Sequence, residues 1–406
     1  MTSAPCLGSG GRLAALIMAS TMGASRYSMA QGPGLHRISP PKAWHAVGNL
    51  RVEERTDNNV FLLSDSTRLE LGTPTAPGTT ASRFADMQSA ADYVTLLRGG
   101  VGIEGPGLAG RKLSLRVDAG YDLYARNARR SSAELGLSVG QNMPLHGRLK
   151  LRARLAPGHF TRNFMSDAVD LNGDGSIQSS ERIFAPGTYR DAQLSVAYRQ
   201  PLKRSTSDHP FGLAIDVEAG HSARTYAAPL GIRSYRGPVL SATVRMALTR
   251  SVKLNVGYTR AWLDSRPGSA VLRLDEPAFG RDFNGNGTTT DSRVRTIQLV
   301  DFSRREQYLD AKLTTSVARN LVLGVRYQHR WRRFPSIQPF DVLNNSRRDQ
   351  RDLVGAELRW RLGSGADLRL GADYEVQKSK GPLGSTAIGV TDFTRRRLYA
   401  GLGYHL

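Results

Sequence analysis

The chain has 406 residues, 40% of them hydrophobic, and a mean hydropathy of −0.36. It holds no apolar run of the roughly 18 residues that a spanning helix needs, which excludes a helical membrane protein. Cys6 is its single cysteine, which excludes a disulfide-stapled fold. A formal charge of +21 and a pI of about 10.6 first suggest nucleic acid, but the basic residues are spread across many alternating segments behind an export signal, so no nucleic-acid partner is expected.

Residues 1–30 read as a signal peptide: Arg12 precedes the apolar stretch Leu13–Ala24, and cleavage follows either Ala24 or Ala30. Cys6 would leave with it, and it does not follow an apolar run as a lipoprotein cysteine would. Residues 31–46 form a Pro-rich irregular segment, and 47–406 make one domain. Leu50–Glu54 and Asn59–Leu63 give a first extended segment, interrupted at Thr56-Asp57-Asn58, and 65–90 make a polar loop.

From Tyr93 onward the period is two nearly throughout. Leu113, Leu115, Val117, Ala119, Tyr121 and Leu123 alternate with Ser114, Arg116, Asp118, Gly120 and Asp122; Val354, Ala356, Leu358, Trp360 and Leu362 alternate with Gly355, Glu357, Arg359 and Arg361. Segments of about 10–14 residues exceed ordinary soluble strands and suit tilted membrane strands. Short links (105–110, 143–147, 249–251, 318–320, 363–366, with a somewhat longer one at 200–210) alternate with longer ones at 125–131, 161–188, 224–237, 264–305, 334–350 and 379–392. Tyr121, Tyr258, Trp262, Tyr327, Trp331 and Tyr374 fall late on outgoing strands, and Tyr198, Trp360 and Tyr404 late on returning ones, which predicts two aromatic girdles. The expected fold is all-β: a transmembrane antiparallel β-barrel of about 14 strands in the outer membrane of a Gram-negative bacterium, with short periplasmic turns and long extracellular loops.

The last stretch, Arg395–Leu406, puts Leu398, Ala400, Leu402, Tyr404 and Leu406 on one face. With Tyr399, Gly401, Tyr404 and Leu406 it resembles the C-terminal assembly signal of bacterial outer-membrane barrels, although that family usually ends in Phe or Trp. The resemblance implies the barrel-assembly machinery as a partner. Asp57-Asn58-Asn59-Val60-Phe61 is similar to a short motif in the β-barrel porins found with exopolysaccharide gene clusters. That likeness implies a role in moving a polysaccharide at the outer membrane and transfers no functional residue.

Two residue sets bear on function. In Asp170–Glu181 (DLNGDGSIQSSE), Asp170, Asn172, Asp174, the Ser176 carbonyl, Gln178 and Glu181 occupy positions 1, 3, 5, 7, 9 and 12 of a calcium loop, with Gly175 at the sharp turn. The twelve residues resemble an EF-hand loop without flanking helices, and Ca²⁺ is the expected ligand; the alternative is a polar Gly/Asn turn. Residues 282–293 echo the pattern with Asp282, Asn284 and Asn286, but position 12 is Arg293, leaving Asp291 as the only nearby carboxylate.

The second set is basic and has the parity of the lumen: Arg116; Lys150, Arg152 and Arg154; Arg199; Arg245 and Lys253; Arg326, Arg330 and Arg332; Arg359 and Arg361; Arg369; Arg395 and Arg397. Lumen acids are fewer. Such a lining favours anions in a water-filled pore; the alternative is a wall of paired charges that only stiffens the barrel. Arg260 and His329 have the opposite parity, between girdle aromatics, where they would meet outer-membrane lipid or lipopolysaccharide phosphates. No nucleophile elbow, phosphate loop or metal-spaced histidines occur, so no enzyme is expected. The reading is a porin-like channel for anionic solutes or an exported anionic polysaccharide. Its rival is a non-conducting surface barrel, an adhesin or structural protein working through calcium-stabilised loops.

Overall fold

In the computed structural model the period of two closes into one sheet. The structure describes residues 43–72, 83–168, 182–203, 205–206, 210–265, 273–277, 292–296, 301–337, 344–363, 365–381 and 392–405. In chain order the barrel strands are β1 (His45–Asp57), β2 (Asp92–Pro106), β3 (Lys112–Tyr124), β4 (Ser132–Asn142), β5 (Arg148–Ala168), β6 (Arg182–Lys203), β7 (Gly212–Tyr226), β8 (Tyr235–Ala247) and β9 (Val252–Ser265). After a separate hairpin of β10 (Arg273–Pro277) and β11 (Ser292–Thr296) come β12 (Arg304–Ala318), β13 (Leu321–Arg333), β14 (Arg348–Arg361), β15 (Ala366–Lys380) and β16 (Phe393–His405). Each barrel strand pairs antiparallel with its neighbours, and β1 closes on β16 in a register running from Asn49↔His405 to Asp57↔Arg397. The result is a closed antiparallel barrel of fourteen strands.

Connections sort by end. The start of β1, the end of β16 and the short links 107–111, 143–147, 204–211, 248–251, 319–320 and 362–365 share one rim. The strand ends that flank 58–91, 125–131, 169–181, 227–234, 266–303, 334–347 and 381–392 lie at the other. In the β14–β15 turn Gly363 and Gly365 have φ of 94° and 92°, a conformation that a side chain would strain. Within β5 the ladder to β6 shifts between Ala156 and His159, where Pro157 has no N–H to give and Gly158 adds flexibility.

The barrel is apolar on its outside. Val101, Val117, Leu137, Leu194, Val217, Leu240, Leu358, Leu398 and Leu402 are exposed, as are Tyr121, Tyr258, Tyr327, Trp331 and Tyr374 toward the long-loop rim and Tyr198, Trp360 and Tyr404 toward the other. A continuous apolar band of this size would not stay soluble; lipid covers it, between two aromatic belts. Among the described residues no helix is long and apolar enough to cross a membrane, so the crossing is made by strands.

Three details depart from expectation near the N-terminus. β1 begins at His45, inside the segment read as irregular, and runs unbroken through Thr56 to Asp57. Asn59–Leu63 is not strand: it turns inward. The loop expected over 65–90 contains a helix, α1 (Asp65–Gly72), whose first turn is capped by Ser64 Oγ accepting from Thr67 N–H at 3.1 Å.

Candidate functional site: the lumen and its outer mouth

The inward turn of the first long loop decides the shape of the lumen. Asp57 at the end of β1 is buried and accepts the Arg395 Nε at 2.8 Å. Asn58 Oδ1 accepts the Arg396 N–H at 2.7 Å. Asn59 is fully buried: its Nδ2 donates to the carbonyls of Leu63 (2.7 Å) and Thr394 (3.0 Å), and its Oδ1 accepts Leu63 N–H at 2.8 Å. These bonds bend the chain over the wall. Val60, Phe61, Leu63 and Met87 then pack on Val94 and Leu96 of β2, Tyr124 of β3 and Phe160 of β5. Those four wall residues are the inner-face, loop-end members of their strands, so the apolar cluster sits inside the barrel near its outer mouth. The returning arm is fastened by Asn127, whose Oδ1 accepts Gln88 N–H at 2.8 Å and whose Nδ2 donates to Asp92 at 2.8 Å, and by Asn163 Nδ2 donating to Ala85 O at 2.9 Å. The Asp57–Phe61 motif is thus the hinge that carries this loop inward.

The predicted basic set divides between two walls. On β13–β16 and β1, the buried acids are enclosed by arginine, while Glu357 of β14 has no ion pair among the described residues. Glu375, 0% exposed, meets Arg351, Arg395 (3.6 Å) and Arg397 (3.9 Å). Asp373 takes Arg326 (2.7 Å) and Arg397 (3.1 Å), and Asp367 takes Arg359 and Arg369, each at 2.6 Å. Glu53 of β1 lies between Arg51 and Arg55. On β12–β14, Glu306 gathers Arg304, Arg330 and Arg332, and Asp349 holds Arg332 and Arg347. Most of these arginines are half-buried or more, Arg395 being 11% exposed, with Arg326 the exception at 47%. Their charge is spent within the wall.

On β3–β9 the pairs stand open to the lumen. Arg116 pairs with Asp118, Arg152 with Glu218, Arg154 with Glu134, and Arg199 and Arg245 both with Asp216. Arg154 is 59% exposed and Arg245 43%. Lys150 has no ion-pair partner among the described residues, and neither does Arg361 at the short-turn end of β14. Beneath the apolar cluster, a recess of about 350 Å³ is lined by Asn49, Arg98, Asp118, Glu134, Lys150, Arg152 and Arg154, four basic groups against two acids.

Two arginines that the sequence did not single out stand at the outer mouth. Arg162 of β5 and Arg233 of the 227–234 loop face the Phe164 ring, with guanidinium carbons 5.3 Å and 4.2 Å from its centroid, and Arg233 also lies 4.6 Å from the Phe302 ring. Neither has a carboxylate partner among the described residues. Burial pulls the Arg233 guanidinium down to about 10; Arg162 and Arg347 add to this by repulsion while Tyr226 opposes it. Arg233 stays cationic at neutral pH. Both residues lie in stretches without periodicity, which is why pattern reading passed over them.

The calcium-loop residues Asp170, Asn172, Asp174, Ser176, Gln178 and Glu181 lie outside the described residues, as do Asp282, Asn284, Asn286 and Asp291. Arg293, at position 12 of the second loop, is in β11 opposite Glu276. Among the described residues no three His, Cys, Asp or Glu side chains are grouped to hold a metal. Arg260 and His329 face outward: Arg260 lies 4.8 Å from the Trp262 ring, and His329 stacks on Trp331 with its Nδ1 2.6 Å from Asp352.

No family model matches the chain, and no curated protein matches it. Among solved structures, the outer membrane channel DcaP of Acinetobacter baumannii aligns with a TM-score of 0.41 at 8% identity, over 92% of this chain and 99% of that one. An anion-selective porin from Comamonas acidovorans gives 0.38 at 9%, over 90% and 99%. OmpT, an outer membrane protein of Vibrio cholerae, gives 0.36 at 12%, over 89% and 97%. At such scores these likenesses carry no residue roles. The placement follows from the molecule itself: a closed antiparallel barrel with an apolar outer band and aromatic belts belongs in the outer membrane of a Gram-negative bacterium.

Proposed function

We propose that the chain is a porin-like channel that favours anions, its path running along the β3–β9 wall past the mouth arginines. The observation that carries the reading is the inequality of the two walls. Ion-paired arginines on β13–β16 and β1 share buried acids and, Arg326 apart, are mostly covered. By contrast, Arg152, Arg154, Arg199 and Arg245 keep exposed guanidinium groups on acids fewer than themselves, and half-buried Lys150 has no ion-pair partner among the described residues. Arg162 and Arg233 add uncompensated charge where a solute enters. Fixed positive charge on a confined aqueous path raises the local concentration of anions and lowers that of cations. Solutes of this class include short anionic metabolites, and an exported anionic polysaccharide fits the same wall as a polymer.

The test is current through the refolded protein in a planar bilayer under a salt gradient. Anion-selective steps are expected, with the reversal potential moving toward zero in the double variant Arg162→Gln/Arg233→Gln and further in Arg152→Glu/Arg245→Glu. Unchanged selectivity in both variants would remove these side chains from the path. Block of the current by an added anionic polysaccharide, and not by a neutral one, would support the polymer arm.

The second reading, a non-conducting surface barrel, is favoured by one observation: the first long loop fills part of the lumen. A folded protein without conductance would decide for it. On either reading Asp170–Glu181 is proposed as a calcium loop. Calcium should protect the long loops from protease in the wild type and not in Asp170→Ala/Glu181→Ala; equal cleavage of the wild type with and without calcium would rule it out. The last strand, β16, is proposed as the segment that the barrel-assembly machinery reads.

A further inference from the structure

On the outer face, the strand register aligns basic residues that the lumen reading does not use. Arg305 of β12 stands opposite Arg333 of β13, Arg333 opposite Arg348 of β14, and Arg348 opposite Lys380 of β15. All four have outward parity, and the row begins beside Trp262 of β9, which pairs with Arg305. One outward position nearer the membrane runs a second row: Arg260, Gln307, Trp331, Gln350 and Lys378. Three strand spacings make the first row roughly 15 Å wide.

Partnering separates these residues from their counterparts inside. Arg305 is held by Asp264 at 2.6 Å. Arg333, Arg348, Lys378 and Lys380 are exposed and have no ion-pair partner among the described residues, and Arg260 has only the Trp262 ring. The outward acid of β14, Asp352, is engaged by His329 and by the Tyr327 hydroxyl at 2.8 Å. Inside the barrel nearly every arginine has a carboxylate. Outside, at the upper edge of the belt of Tyr258, Trp262, Tyr327, Trp331 and Tyr374, Arg333, Arg348, Lys378, Lys380 and Arg260 have none among the described residues.

The level of this row is informative. Aromatic belts mark the boundary between acyl chains and headgroups. Residues level with Trp331 or one outward position beyond it therefore sit at the headgroups, at the long-loop rim of the barrel. The lipid on that side of an outer membrane is a phosphorylated glycolipid. Long basic side chains above an aromatic belt lay their stems on the apolar surface and present the charge to phosphate.

We infer that the outward face of β12–β15 is a binding site for the phosphorylated headgroup of the outer-leaflet glycolipid, with Arg333, Arg348 and Lys380 as phosphate ligands and Arg260 and Lys378 flanking them. The site does not depend on conduction; it needs only the barrel and its orientation. Acyl chains would lie against Val325, Val354, Leu358 and Leu370 of the same strands, all exposed.

The probe is bisphosphorylated lipid A titrated into the full-length refolded protein in neutral detergent, read by fluorescence of Trp262 and Trp331 beside the site and by native mass spectrometry. The wild type should bind it at least tenfold more tightly than the same lipid stripped of phosphate. The variant Arg333→Gln/Arg348→Gln/Lys380→Gln should lose on the order of a hundredfold in affinity, at about fivefold per surface charge, while Arg152→Gln/Arg154→Gln/Arg245→Gln, equal in charge change but facing inward, should not. Heat-modifiable migration establishes that each variant is folded. Equal affinity of the outward variant and the wild type, binding that ignores the phosphates, or saturation of the signal by inorganic phosphate alone would each overturn the assignment.

Discussion

Glu375 shows how differently two carboxylates in one lumen behave. It has no exposure and touches three arginines, so Glu375→Gln leaves Arg351 without a carboxylate and Arg395 and Arg397 with one each, Asp57 and Asp373. Loss of one partner from a buried network costs about 3–5 kcal/mol, and the urea midpoint of the refolded barrel should fall accordingly. Arg154→Gln removes half of an exposed pair, costs less than about 1 kcal/mol, and should move that midpoint correspondingly less. Equal effects would mean that the two walls are not distinct. The inward parity of Arg154 and Arg395 alike was legible from alternation with leucine and alanine. Their partners were not. Arg154 meets Glu134 on the adjacent strand, but Arg395 meets Asp57, 338 positions away, and no local pattern announces a contact made by closure of the sheet.

At the scale of elements, strands were the most legible part of the chain because each needs only a period of two. Leu113–Leu123 falls in β3, and Val354–Leu362 in β14 except for Leu362, and the strand ends flanking short and long connections sort to opposite rims. The first long loop was misread for a physical reason. Val60, Phe61 and Leu63 are apolar enough to pass for strand, and an apolar segment that enters a lumen looks locally like one that joins a wall. What sets it apart is Asn59, a fully buried amide that satisfies three backbone groups. Asn59→Ala would strand those groups at about 1–3 kcal/mol, enough to loosen the loop without unfolding the strands. Faster protease cleavage within 58–91 and a larger single-channel conductance are expected. Unchanged cleavage would mean that the apolar cluster alone holds the loop.

For the whole molecule, the unusual basicity resolves into three populations: arginines neutralised inside one wall, cations open to the lumen and mouth, and an outward row at the headgroup level. Composition alone joined them into a single number and first suggested nucleic acid. Parity separated the inner from the outer groups, but only the three-dimensional pairing showed which of them retain their charge.

The docking site of the inward loop has an implication for assembly order. Its apolar partners Val94, Leu96, Tyr124 and Phe160 all belong to the first five strands. The bonds of Asn59 and Asp57 to β16 wait for the end of the chain. Contacts close in sequence form ahead of those that must close a long loop. The loop can therefore be seated while the sheet is still an open, curling ribbon, and the seam between first and last strands then shuts around cargo already aboard. During refolding, protease resistance of 58–91 should precede the shift to heat-modifiable migration; the reverse order would mean that the loop threads into a finished barrel.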